Sequence, residues 1–91
     1  MSERDLREQV RSLCKVFGWR LAFTQYSIRS PKGFPDLVLC RPTRVVYAEL
    51  KSEKGKVTPE QSAWLEDLRA CRQEVYVWRP TDLDQIAAVL R

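Results

Sequence analysis

Pro35-Asp36-Leu37-Val38-Leu39-Cys40, the break Arg41-Pro42-Thr43-Arg44, and Val45-Val46-Tyr47-Ala48-Glu49-Leu50-Lys51 form the stretch on which the fold is read. Two short apolar runs rich in β-formers flank a four-residue turn, the pattern of a β-hairpin. Toward the N-terminus, Trp19, Leu21 and Phe23 alternate with Arg20, Ala22 and Thr24, which predicts a half-buried strand. Ahead of it, Ser2 and Asp5 make a capping signature, and Leu6, Val10, Leu13, Cys14 and Phe17 recur at helical spacing until Gly18 stops the run. The polar segment 25–33 ends in Ser-Pro-Lys-Gly and reads as a loop.

Toward the C-terminus, Ser52-Glu53-Lys54-Gly55-Lys56 is a charged turn. Thr58-Pro59-Glu60-Gln61 then supplies an N-cap, a proline at the first helical position and a glutamine to close a capping box. Trp64, Leu65, Leu68 and Cys71 give that helix a buried stripe, Glu74 to Trp78 reads as a strand, and Thr81 is placed to cap a last helix from Asp82 to Leu90. The order is α-β-β-β-α-β-α. A helical crossover lets the last strand lie parallel to an earlier one, so the class is α/β: one three-layer domain over residues 1–91, with a mixed central sheet flanked by helices.

A chain of 91 residues excludes two-lobed enzymes and repeat arrays, and its thin core favours an open groove or a site shared between subunits. Lys and Arg outnumber Asp and Glu by 16 to 12, a net +4 that suits a polyanionic partner. Histidine is absent and Cys14, Cys40 and Cys71 are far apart, which argues against zinc and for buried free thiols in a reducing compartment. The N-terminus is charged where a signal peptide is apolar, and no run approaches ~18 apolar residues, so the expectation is a cytoplasmic protein with no membrane contact.

The residues outside the core pattern carry the chemistry. Glu49 and Lys51 share the face of their strand opposite Val46, Ala48 and Leu50, and Asp36 opens the adjacent strand. A solvated, ion-paired face is one reading, but a central strand covered by helices has little solvated face. A divalent cation compensates two nearby carboxylates economically, and oxygen donors without His or Cys indicate a hard ion, Mg²⁺ or Mn²⁺, with Lys51 beside it. Gln61 aligns with the buried stripe of its helix, and two readings stay open: it closes the capping box, or it orients Lys51 or a water.

Gly33-Phe34-Pro35-Asp36-Leu37 and Glu49-Leu50-Lys51, joined by a hairpin and followed by Thr58-Pro59-Glu60-Gln61, resemble the virus-type replication-repair nuclease (VRR-NUC) branch of the PD-(D/E)xK nucleases. The likeness extends to Gly18-Trp19 and to Val75-Tyr76-Val77-Trp78-Arg79-Pro80. It implies a restriction-endonuclease-like fold and a Mg²⁺- or Mn²⁺-dependent nuclease without organic cofactor. By the same resemblance Asp36 and Glu49 are metal ligands, the Leu50 carbonyl adds a ligand, Lys51 is the catalytic lysine, and Gln61 takes its functional reading. Glu3 corresponds to an acid of the first helix that several relatives turn toward the metal. Glu8 competes, but the two point about 140° apart on a helix, so at most one of them faces the site, and Glu3 is favoured. Relatives often carry a histidine near the place of Phe23, which this chain lacks.

The basic residues Arg29, Lys32, Lys54 and Lys56 flank the acidic motifs and are expected to contact DNA phosphates. So small a domain grips duplex poorly and cuts one strand, which a symmetric homodimer remedies. Small relatives imply action on branched DNA such as four-way junctions. Trp64, Tyr76, Trp78 and the last helix are candidate interface positions, with core packing the competing role. A non-catalytic DNA-binding module on the same fold is the alternative function, and a ribonuclease or toxin-like factor a third.

Overall fold

The structure, a computed structural model, describes residues 1–24 and 31–91. Helix α1 (Glu3–Phe17) leads into strand β1 (Arg20–Phe23), the hairpin β2 (Leu37–Arg41) and β3 (Arg44–Leu50), helix α2 (Pro59–Ala70) and strand β4 (Glu74–Trp78). A 3₁₀ turn (Pro80–Asp82) then runs into helix α3 (Leu83–Leu90). The expected α/β order holds. The sheet order is β1-β2-β3-β4, with the first two pairings antiparallel and the β3–β4 pairing parallel, as the crossover through α2 requires.

Alternation along the strands sorts side chains between two layers. Leu37 and Leu39 of β2, Val46, Ala48 and Leu50 of β3, and Trp78 of β4 join Leu6, Val10 and Cys14 of α1 and Ile86 and Leu90 of α3 in one buried cluster. On the other face α2 leans chiefly on β4, with Leu65 its buried residue. Both long helices begin in full capping boxes, Ser2 with Asp5 and Thr58 with Gln61, and α1 ends at Gly18 in the left-handed conformation. The Trp19 indole donates to the Leu90 carbonyl at 2.8 Å, and Arg41 donates to the Phe17, Leu90 and Arg91 carbonyls while lying over the Trp19 ring. These contacts fasten the end of α3 to the α1–β1 junction.

Three expectations need correction. Cys14 is buried, but Cys40 and Cys71 are exposed. Cys40 alternates with Leu39 and so faces the α2 side of the sheet, on β2, where α2 gives no cover; Cys71 lies at the C-cap of α2, past its last helical residue. The last helix does not start from a Thr81 cap. Its onset is the 3₁₀ turn, in which the Asp82 carboxylate accepts the Arg79 N–H at 2.8 Å, while both the N–H and hydroxyl of Thr81 are taken by Glu53. Finally, Trp78 is a core residue at 3% exposure, which removes it as an interface anchor.

Candidate active site

Gly33 fixes how the chain enters the site. Its φ is +88°, and a Cβ there would lie 2.6 Å from the Glu60 carbonyl carbon and 2.8 Å from the Gln61 nitrogen. Only glycine lets the loop press against the first turn of α2 in this conformation. Phe34, next in sequence, meets Trp64 of α2 and Tyr47 of β3 edge-on, with ring centroids 5.0 and 6.2 Å away. The strand entry is thereby wedged between α2 and the sheet. On its other side the Thr24 N–H donates to the Asp36 carbonyl at 2.8 Å and its hydroxyl donates to the Pro35 carbonyl.

Asp36 follows at once. One step beyond the Leu37–Ala48 pair of the antiparallel ladder, it stands opposite Glu49. Its Oδ2 accepts the Leu50 N–H at 3.0 Å, so the Asp36 carboxylate and the Glu49–Leu50 peptide are held together. Glu49 is the one fully buried charged residue among the described residues, at 2% exposure. Its Oε2 accepts from Gln61 Nε2 at 3.0 Å and lies 3.7 Å from the Lys51 ammonium, whereas its Oε1 is buried with no hydrogen-bond donor among the described residues. Lys51 is itself largely enclosed, its side chain 13% exposed, and its N–H donates to the Trp78 carbonyl at 3.0 Å, which extends the parallel pairing to the site.

These contacts set the electrostatics. Burial, and next the Asp36 carboxylate alongside, push the Glu49 carboxyl up to about 8; the two acids share a hydrogen bond when one is protonated. Lys51 pulls in the opposite direction, and Glu3 adds a weaker repulsion from α1. Glu3 sits in line with the buried stripe of α1 and is half-buried, whereas Glu8 is exposed and paired with Arg11 at 3.5 Å. Of the two helix acids, it is Glu3 whose charge reaches Glu49.

Gln61 closes the capping box, and its free end meets Glu49, not the Lys51 that the other reading named. Its Oε1 accepts the Thr58 N–H at 2.9 Å in the capping box, and its Nε2 donates to Glu49. Among the basic positions, Lys54 and Lys56 are exposed in the loop between β3 and α2, and Lys32 is exposed and 3.4 Å from Glu60. Arg29 lies outside the described residues. Reading the sequence missed what holds that loop. Arg79 Nη1 donates to the carbonyls of Ser52, Glu53 and Gly55 at 2.6, 3.3 and 2.7 Å, and Glu53 returns its carboxylate to Thr81. No local pattern signals a contact between residues so far apart in the chain.

Two carboxylates side by side, one of them with a buried oxygen that has no donor among the described residues, offer oxygen ligands of the kind a hard divalent cation takes. Among the described residues no group of three or more Asp, Glu, Cys or His gathers to hold a metal. Also among these residues, no helix is long and apolar enough to cross a membrane.

The model of the VRR-NUC domain family matches residues 3–82. A solved structure described as a VRR_NUC domain superposes with a TM-score of 0.79 at 22% identity, covering 97% of either chain. No curated protein matches the sequence.

Proposed function

The chain belongs to the VRR-NUC family, a nuclease-type domain, and on that premise we propose that it is a Mg²⁺- or Mn²⁺-dependent DNA endonuclease acting on branched DNA as a homodimer. The observation that carries the reading is the donorless, buried Glu49 Oε1 beside the Asp36 carboxylate, with the Lys51 ammonium 3.7 Å from the other oxygen. A buried carboxylate beside a second, half-buried one is costly to keep charged without a cation, which supports a metal at this place.

Asp36, Glu49 and the Leu50 carbonyl would hold the ion, with Glu3 approaching from α1. When bound, such an ion lowers the pKa of a nearby water and offsets charge developing on the phosphate. Lys51 orients the attacking water and places a positive charge beside the scissile group. Gln61 fixes the Glu49 carboxylate through one end of its amide while the other end is anchored in the helix cap. Arg29, Lys32, Lys54 and Lys56 engage flanking phosphates, so binding reads backbone and shape and weakens with salt. A second copy would supply the second active site needed to cut both strands.

The test is cleavage of linear duplex, single strand, flap and four-way junction, with RNA alongside, in the presence and absence of Mg²⁺ or Mn²⁺, with light scattering for stoichiometry. Metal-dependent cutting that favours the junction and falls by about 10²-fold or more in Lys51→Ala supports the proposal. Tight DNA binding with no cutting under any metal would replace it by the non-catalytic module, and undiminished cutting by Lys51→Ala would remove the lysine from the mechanism.

A further inference from the structure

Helix α1 carries a row of cations that the proposed site does not use. Arg4, Arg7, Arg11 and Lys15 fall within an arc of about 80° at 100° per residue, on the flank of the helix next to its buried stripe of Leu6, Val10 and Cys14. At 1.5 Å per residue the row is about 16 Å long. Arg4, Arg11 and Lys15 are exposed and Arg7 is half-buried. The middle of the row is positioned by β1, since the guanidinium groups of Arg11 and Arg7 lie 4.8 and 6.0 Å from the centre of the Phe23 ring. Glu8 pairs with Arg11, and Asp5 is turned away into the capping box, which leaves the row net positive.

The row also points at the site. Phe23 pairs with Leu37, the neighbour of Asp36, and the next residue, Thr24, donates to the Asp36 carbonyl. The stripe thus passes, at Arg7 and Arg11, over the end of β1 that pairs next to Asp36, on the side of the sheet opposite α2 with its neighbouring Lys54 and Lys56.

We propose that Arg4, Arg7, Arg11 and Lys15 form a second phosphate-binding surface, along which a nucleic-acid strand passing the Asp36–Glu49 pair lays its backbone. The inference rests on the nuclease reading for the identity of the polyanion. A row of about 16 Å spans about five phosphates of one strand at 3.4 Å each, which four cations can match. Long cationic side chains on a rigid helix make contacts that are indifferent to sequence. Together with Lys54 and Lys56, the row would grip a strand on both sides of the scissile bond.

The experiment is duplex binding by fluorescence anisotropy, without divalent ion, across a salt series, for the parent and three double variants. Arg4→Gln with Lys15→Gln removes the ends of the row and leaves the two arginines that pack on Phe23. Its salt slope should fall by about 1.8, so that between 50 and 200 mM salt it loses about tenfold less affinity than the parent. The charge-conserving pair Arg4→Lys with Lys15→Arg should keep the parent slope, which a fold defect would not allow. If the Gln pair keeps the parent's affinity and slope while Lys54→Gln with Lys56→Gln lowers both, the α1 surface is refuted and the DNA-binding reading stands. A parent that binds no duplex at any salt would overturn both.

Discussion

Gln61 Nε2 donates to Glu49 Oε2 over 3.0 Å, tying the first turn of α2 to the buried acid of β3. The same side chain accepts the Thr58 N–H at 2.9 Å, so its amide is fixed at both ends and its orientation is determined. Glu49 therefore has one oxygen held by protein and one left bare.

Gln61→Glu separates the two roles. A carboxylate still closes the capping box, so the helix start should be kept, but it donates nothing to Glu49 and sets a third acid against it. Gln61→Ala loses both bonds and should cost about 1–2 kcal/mol in urea unfolding. Gln61→Glu is expected to retain more stability than Gln61→Ala at low pH, yet to require more Mg²⁺ for half-maximal cleavage than the parent. Metal titrations that coincide for Gln61→Glu and parent would show that the bond to Glu49 has no functional weight.

The raised Glu49 carboxyl gives the metal-free protein a characteristic pH dependence. An unperturbed glutamate titrates near 4.5, whereas in the fold burial and Asp36 push Glu49 up to about 8. The folded state therefore binds the proton more tightly than the unfolded state. This contribution is complete below 4.5 and is lost as pH rises through about 8. With chelator present, the urea midpoint should decline between those limits, and Glu49→Gln should flatten the decline. A divalent cation should restore the parent's stability most at the alkaline end. Parallel profiles for parent and Glu49→Gln would place the titrating group elsewhere.

What the sequence disclosed and what it hid divide by range. The hairpin, the Thr58–Gln61 helix start and the Asp36–Glu49–Lys51 arrangement depend on two-residue alternation and capping chemistry, which act within a few residues. Helical spacing let at most one of Glu3 and Glu8 face the site, and of the two Glu3 is half-buried and Glu8 exposed. The cysteines went astray because alternation tells which face Cys40 occupies but not how far a helix covers that face. The onset of α3 was hidden because Glu53 takes the Thr81 groups, a contact spanning 28 residues. Such pairings are decided by tertiary packing, and no local propensity announces them.

The three thiols should react in two classes. Cys40 and Cys71 are exposed, whereas Cys14 is 2% exposed in the core and burial pushes its thiol up to about 11. Since the thiolate is the reactive species, an aromatic disulfide reagent should modify Cys40 and Cys71 promptly in the native protein and Cys14 only on unfolding. Cys14→Ser should leave the fast phase unchanged and remove the slow one. A native protein in which Cys14 reacts as fast as the others would mean that α1 opens readily from the sheet.

Arg79 provides the sharpest test of how the basic loop is held. Its Nη1 faces the Ser52, Glu53 and Gly55 carbonyls at once, and hydrogen bonds from a charged donor are stronger than neutral ones. Because Ser52 directly follows Lys51, loosening this loop frees the lysine's own backbone on one side and the Lys54–Lys56 segment on the other. Arg79→Ala should destabilise the chain by about 2 kcal/mol and raise hydrogen exchange at 52–57 above that of the sheet. Arg79→Lys should recover little, since a compact ammonium on a flexible stem does not reproduce the fixed fan of guanidinium donors. If the carbonyl cage serves to place Lys54 and Lys56 on phosphates, both variants should also bind DNA more weakly and with a reduced salt slope, because displaced lysines neutralise fewer phosphates even though their charge is kept. A parent-like affinity and slope in Arg79→Ala would mean that the lysines reach the backbone without the cage.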